Sequence, residues 1–389
     1  MKKLLIISYS HLKNDPRILK QVEALKNDFL ILTIGKSSID DKKIVFYNTI
    51  NINKNTIIPL AKKKFFYKIK RRLTRSYSEI INDWLNLDFI IGQNIETPDI
   101  IIANDWNGMA LASELKKTLN WNDVKIYFDA HEYAPTEYDS YLKWRIFKKP
   151  LVIWALRKCK NDISAMSTVS EGIAKKYEKF FNFNYGFVKI ISNASVYQEF
   201  LKPIKTNNMK IRLIHHGISQ KERKMELMIK MMKFLDPSKF ELNFMITRAD
   251  PVYFDFLVEI SKKYNNIYFI EPVINSDITN KINCFDIGIY ILCPTSFNFK
   301  HALPNKFFEF IQARLAIAIC PSIEMSKIVK KYELGVVSKF FTPKSLANSI
   351  KQLTPEKIMK YKSNSDLYAK KLSAEDNLIK IRSIVKELT

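Results

Sequence analysis

The sequence predicts an α/β protein built from two similar parallel-sheet domains, and three observations carry that expectation. Short apolar runs of strand length alternate with helical patterns. The alternation pauses at a polar stretch near residue 200 and then restarts. With 389 residues and 47% hydrophobic content, the chain is long enough to bury two separate cores.

Leu4 to Ser8 reads as the first strand, followed by a helical pattern over Ile18 to Leu25 and a strand over Phe29 to Ile34. After a basic insertion come strand Ile100 to Ala103, helix Gly108 to Leu119 and strand Val124 to Phe128. Tyr197 to Asn208, which contains Pro203, is the candidate linker. Ile211 to Ile214 then opens a second unit. Its helices are expected at Glu226 to Leu235 and Phe254 to Lys263, and its strands at Glu241 to Ile246, Ile267 to Ile270 and Ile287 to Leu292. This gives domains at residues 1–198 and 206–365, with a last helical pattern, about 370–389, returning to the first.

Lys and Arg outnumber Asp and Glu by 63 to 39, a formal charge of +24 that suits polyanions, acidic lipid surfaces or phosphorylated ligands. Cys159, Cys284, Cys293 and Cys320 are too scattered for a Cys-x-x-Cys site and do not suggest a disulfide scaffold, so a reducing cytoplasm is expected. Met1 to Ser10 reads as a strand rather than a leader, because its apolar run is short and meets His11 and Lys13 at once. No apolar run approaches the roughly 20 residues that span a bilayer, so any membrane association is expected to be peripheral.

Lys62 to Arg75 carries eight basic residues and no acid, with Phe65, Phe66, Ile69 and Leu73 spaced to share a helical face. It reads either as a helix lying on an anionic membrane or as a surface helix packed on its own domain. Tyr141 to Lys160 is a second basic and aromatic cluster. Nucleic acid is the less favoured partner, since no helix-turn-helix, zinc-finger or RNP-type pattern accompanies these patches.

The candidate chemistry falls at predicted strand and helix ends, where open α/β sheets bind ligands. No Asp-x-Asp or His-Glu-x-x-His is present to hold a catalytic metal, and Gly-x-Ser-x-Gly, the Walker loop and Gly-x-Gly-x-x-Gly are absent as well. No metal or other cofactor is predicted. Asn14-Asp15-Pro16-Arg17 is either a ligand cluster or a helix cap. Asp129-Ala130-His131-Glu132 sets a titratable imidazole between carboxylates. His216-Gly217, followed by Arg223-Lys224, offers a close backbone approach and two cations suited to a diphosphate. In the run His301 to Glu309, Pro304 preorganises a first helical turn whose free N–H groups, with Lys306, suit a phosphate, and Glu309 can accept from a ribose diol.

In this order these motifs resemble the GT-B glycosyltransferases, in particular the retaining group-1 (family 4) enzymes of bacterial cell-surface glycan synthesis. The likeness runs through Asn14-Asp15-Pro16-Arg17, Asp129-Ala130-His131-Glu132, Thr168 to Ala174, Ser192-Asn193-Ala194, Gly217, Arg223-Lys224 and Leu303 to Phe310. The resemblance implies two Rossmann-like domains facing a central cleft, an acceptor-side first domain and a second domain holding a nucleotide-sugar donor, UDP being the nucleotide expected first. It implies Glu309 at the ribose, Arg223 and Lys224 at the diphosphate, and His131 near the transferred sugar. Leu303, Pro304 and Asn305 would offer backbone groups to phosphate or sugar. The implied enzyme is cytoplasmic and peripheral at the inner face of the membrane, acting on a lipid-linked or cell-surface glycan such as capsule or lipopolysaccharide. Alternatives are a nucleotide-sugar epimerase on the same fold and a non-catalytic glycan- or polyanion-binding protein.

One departure bears on specificity. The family carries two glutamates separated by seven residues, and counting back from Glu309 places His301 at the first. An imidazole there predicts an altered sugar pocket. The loop Ser8 to Asn14 also lacks the family's usual glycines, and Thr247-Arg248 stands where a glycine commonly follows the second-domain strand.

Overall fold

The computed structural model describes residues 1–41, 43–49, 76–206 and 210–389. The basic segment Lys62 to Arg75 lies outside the described residues, as does the end of the candidate linker. Contacts divide the chain into two compact units, Met1–Ile191 with Leu378–Thr389, and Ser192–Asn377. The stretch after Ile191 groups with the second unit through its hydrogen bonds. Asn377 Nδ2 donates to Ser192 O at 2.8 Å, Ala374 N to Ser195 O at 2.8 Å and Tyr197 N to Glu375 Oε1 at 3.1 Å.

The first unit holds a seven-stranded, all-parallel sheet in the order β3-β2-β1-β4-β5-β6-β7. Its strands are β1 Lys3–Ile7, β2 Leu30–Gly35, β3 Val45–Asn48, β4 Ile100–Asn104, β5 Lys125–Ala130, β6 Ile163–Thr168 and β7 Val188–Ile190. Leu4 to Ile7 pair with β2 on one side and β4 on the other and are fully buried, which is why the strand reads as a continuous apolar run. The order reverses between β1 and β4, so the carboxyl ends of these two strands form the unit's switch point.

The second unit repeats the plan with six parallel strands in the order β10-β9-β8-β11-β12-β13. These are β8 Ile211–Ile218, β9 Phe240–Thr247, β10 Ile267–Phe269, β11 Ile287–Tyr290, β12 Ala316–Ile319 and β13 Gly335–Val337. Here the switch point lies between β8 and β11. Helix Asn305–Gln312 packs Phe307, Phe308, Phe310 and Ile311 inward. Gly288 makes room for this helix, since a Cβ there would stand 2.4 Å from the Phe310 ring.

Several boundaries differ from the sequence expectation. β8 runs on to Ile218, so His216 and Gly217 belong to the strand rather than lying beyond it. β5 likewise takes in Asp129 and Ala130. Five strands, β3, β6, β7, β12 and β13, lie outside the sequence expectation, although β12 falls in the apolar run Leu315 to Cys320. They span three to six residues, and the longest, Ile163–Thr168, mixes Ser and Thr with its apolar positions.

Candidate functional site

At the second unit's switch point, the end of β8 and the start of helix Asn305–Gln312 bring together most of the residues selected from the sequence. Gly217 has φ +131, a backbone conformation that glycine adopts at little cost. A Cβ at this position would lie 2.9 Å from Lys306 Nζ and 3.4 Å from its Cε. The glycine therefore gives the space beside the strand to the lysine.

Lys306 is itself buried, 5% exposed, and its ammonium group sits 4.6 Å from the Tyr290 ring centroid. Its Nζ lies 3.1 Å from His215 Nε2. The other imidazole nitrogen, Nδ1, is 2.9 Å from the Ile289 carbonyl, which can only accept. Nδ1 therefore carries the proton, Nε2 accepts, and Lys306 donates. Burial pushes the lysine well below its ordinary pKa, with Arg223 adding repulsion and Glu309 opposing it. Burial and Lys306 likewise hold His215 well below the usual imidazole value.

His216 is also buried, and its pKa is pushed down to about 3 by burial first and Lys306 second, so the ring is neutral at pH 7. Its Nε2 approaches Glu309 Oε2 at 3.4 Å without forming a hydrogen bond. Arg223 comes next, in the short turn Lys221–Arg223, where Nε donates to Gln220 Oε1 at 2.7 Å and NH1 to the Tyr290 hydroxyl at 3.1 Å. Lys224 is exposed in a left-handed conformation and lies near enough to Cys293 to act on its thiol. The cluster thus centres on Lys306, which touches the neutral His215 and the Tyr290 ring and feels the charges of Arg223 and Glu309, while the neutral His216 stands beside Glu309. Such a site favours a polyanionic ligand.

The helix start differs by one position from the sequence expectation. Pro304 is the N-cap and Asn305, exposed, is the first helical residue, because ψ of 154° keeps Pro304 extended. The Leu303 carbonyl accepts from Asn193 Nδ2 at 3.3 Å. His301 sits just past the short helix Phe297–Lys300, its ring 4.7 Å from that of Phe297. Its Nδ1 donates to Glu324 Oε1 at 2.9 Å, and Glu324 is 4% exposed at the start of helix Ile323–Lys331.

In the first unit, Asp15 accepts from Arg17 N and Ile18 N, and Pro16 opens helix Pro16–Leu25, so these two residues form its cap. Arg17 and Asp129 join the two sequence clusters in a buried bidentate pair. Gln21, Asn104, Ser167 and Tyr127 complete the network. Although burial opposes it, Arg17 draws the Asp129 carboxyl down to about 2. His131 N donates to Asp105 Oδ1 at 3.1 Å, and its Nδ1 lies 3.4 Å from Asp105 Oδ2. Its Nε2 is buried with no hydrogen-bond partner.

Sequence reasoning missed His215, Tyr290 and Glu324. The His215-His216 doublet closing an apolar run was a usable signal. Nothing local marked Tyr290 or Glu324, whose partners lie 67 and 23 residues away. Among the described residues no group of three His, Cys, Asp or Glu could hold a metal ion.

Compared with known proteins, the chain matches no protein-family model and no characterised sequence. Solved structures match it along its length. Sucrose-phosphate synthase from Thermosynechococcus elongatus aligns with a TM-score of 0.72 and 11% identity over 100% of this chain and 99% of that one. HepE of Anabaena, in complex with UDP-glucose, aligns with a TM-score of 0.66 and 10% identity over 100% of both chains. WaaG, a glycosyltransferase involved in lipopolysaccharide biosynthesis, aligns with a TM-score of 0.62 and 10% identity over 98% and 99%. At such identities the likeness is one of fold. The chain has the α/β GT-B fold, with two parallel sheets.

Proposed function

We propose that this chain is a glycosyltransferase that moves a sugar from a nucleoside-diphosphate donor, UDP foremost, to a lipid-linked or cell-surface glycan. The observation that carries this reading is the buried Lys306 beside Gly217, with the half-buried Arg223 close enough to act on its charge and Glu309 one helical turn away. A diphosphate at the switch point would neutralise the two cations, and Glu309 would accept from the ribose hydroxyls. HepE was solved with UDP-glucose on the same fold, which supports the choice of donor.

Charge that develops on the departing diphosphate would be stabilised by Arg223, Lys224 and Lys306, so the proposed transfer proceeds without a divalent metal. Anomeric configuration is proposed to be retained, the leaving phosphate oxygen taking the acceptor's proton. His131 is the proposed catalytic residue of the first unit, with Asp105 orienting its Nδ1. For the donor sugar, recognition is assigned to His301. With Nδ1–H committed to Glu324, a neutral His301 presents one uncharged acceptor, Nε2, where a glutamate would present two charged oxygens. The enzyme is proposed to work in the cytoplasm at the inner face of the membrane. Among the described residues no helix is long and apolar enough to cross one.

A thermal-shift screen of nucleotide sugars tests the reading, because a ligand that binds only the native state raises apparent stability. A UDP-sugar is expected to raise the melting temperature more than its CDP and GDP counterparts. A flat response to every nucleotide sugar sinks the proposal. The anomeric configuration of the product, read by NMR, decides retention.

A further inference from the structure

We propose that Tyr138, Tyr141, Leu142 and Ile146, set among Lys143 and Arg145, form a seat on the first unit for an anionic lipid surface. The four apolar side chains are 47%, 50%, 65% and 48% exposed, and Tyr138 and Tyr141 lie 6.5 Å apart between ring centroids. Lys143 and Arg145 are exposed between them. From Tyr141 to Lys160 the chain is rich in Lys and Arg and has no acid. Of the nearby acids, Asp139 pairs with Lys149 at 2.8 Å, burial with the Asp105 charge raises Glu137 to about 7, and Glu132 and Asp105 act on the Tyr138 end of the patch. Cations dominate the other end, from Tyr141 onward.

Local geometry explains why these apolar groups face outward. Leu142 and Ile146 are spaced from Val152 and Leu156 so that a regular α-helix would put all four on one side. Instead Val152 and Leu156 are buried and the first two are exposed. Between them Trp144–Lys148 forms a π-type turn, continuing directly into helix Lys149–Lys158. The extra residue of such a turn rotates the segment before it by about 100° relative to the helix after it. Leu142 is thereby turned off the buried stripe. Trp144 packs beneath, 4.9 Å from Tyr138, and Lys148 rests 4.3 Å from the Trp84 ring centroid, which fixes the segment on its unit.

Exposed aliphatic and tyrosine side chains interleaved with Lys and Arg are the composition of a headgroup-level contact. An acidic lipid surface meets both requirements at once, since it offers an apolar boundary beneath a negative plane. The inference deepens the proposed action on a membrane-borne acceptor, yet its observations are independent of the donor site.

Co-sedimentation of the full chain with phosphatidylcholine vesicles, and with vesicles containing about 30% phosphatidylglycerol, tests it. Binding is expected only with phosphatidylglycerol. The double change Leu142→Glu with Ile146→Glu should lower partitioning at least about tenfold. Lys143→Gln with Arg145→Gln should also lower it about tenfold and flatten its salt dependence. Melting temperature and any stabilisation by UDP should stay as in the parent, which excludes misfolding as the cause. Both variants leave Lys62 to Arg75 intact, so parental vesicle binding by both overturns the proposal. Absence of binding by the parent, or preference for a duplex DNA competitor over the vesicles, overturns it as well. A parent that binds these vesicles but is not stabilised by UDP supports the lipid seat and counts against the donor reading alone.

Discussion

Lys306 occupies the space that any side chain at Gly217 would fill, its Nζ standing 2.9 Å from where a Cβ would be. Gly217→Ala therefore imposes two costs, a strained φ of +131 and displacement of a buried amine from His215 and Tyr290. A loss of about 1–3 kcal/mol in stability is expected. Nucleotide binding should weaken beyond what the lower stability explains. Urea unfolding and UDP titration on the same variant separate the two effects.

The same lysine makes donor binding pH-dependent. In the free protein, burial and Arg223 hold Lys306 well below its ordinary pKa, and Glu309 only partly offsets them. His215, His216 and Tyr290 face it as neutral groups. A bound diphosphate favours the ammonium form and raises the pKa, so the complex holds more protons than the free protein between the two values. Affinity must then fall as pH rises through that window. Calorimetry of UDP binding in two buffers of different ionisation enthalpy should register proton uptake, and Lys306→Met should abolish it. Identical enthalpies in both buffers would show that the lysine does not titrate on binding.

Glu309 is assigned to the ribose, and that assignment separates from the phosphate by choice of probe. Glu309→Ala removes a charged acceptor worth about 1.5–3 kcal/mol, so UDP should bind roughly 10- to 150-fold more weakly. Dideoxy-UDP, which lacks the diol, should bind parent and variant alike. An equal loss for both nucleotides would place Glu309 elsewhere, for instance as a counter-charge to the buried Lys306.

In the first unit the Arg17–Asp129 pair predicts stability rather than binding. Arg17→Met leaves a buried carboxylate without its cation and should cost about 3–5 kcal/mol. The pH dependence comes from the Asp129 value of about 2, below its ordinary 3.8. A carboxyl whose folded pKa is depressed contributes stability that is fully present above the unfolded value and is lost as pH falls through the folded one. Acid unfolding monitored by circular dichroism should therefore show a stability term that fades below pH 3.8 in the parent. In Arg17→Met with Asp129→Leu that term should be gone.

The groups on which these predictions turn differ in how far the sequence alone revealed them. Apolar runs placed β1, β8 and β11 because central parallel strands are buried on both faces, and their period needs no long-range information. Gly217, Lys306 and Glu309 could be picked out for their chemistry, but not the reason Lys306 is buried, which depends on a glycine 89 positions earlier. Arg17 and Asp129 were each visible within a motif, yet their pairing was not, since β1 and β5 flank β4 only once the sheet is assembled. Tertiary neighbours, not local spacing, set the charge states of Lys306, His215 and His216.

His301 and Glu324 are the sharpest case, because the sequence marked one partner and hid the other. Glu324 is buried and fixes the imidazole by accepting from Nδ1, so the nitrogen left over, Nε2, is an acceptor in the neutral ring. Glu324→Gln keeps the volume but can donate as well as accept, which frees the ring to adopt either tautomer. UDP lacks the transferred sugar that position 301 is proposed to recognise, so its affinity should change less than about twofold, within the effect of a substitution remote from the contact. Discrimination among UDP-sugars should fall by about tenfold, the order of one lost hydrogen bond to a sugar hydroxyl. His301→Glu would set a second carboxylate against Glu324 and should destabilise the unit, whereas His301→Glu with Glu324→Gln relieves the repulsion. If that double variant has the parent's donor preference, recognition of the sugar does not run through position 301.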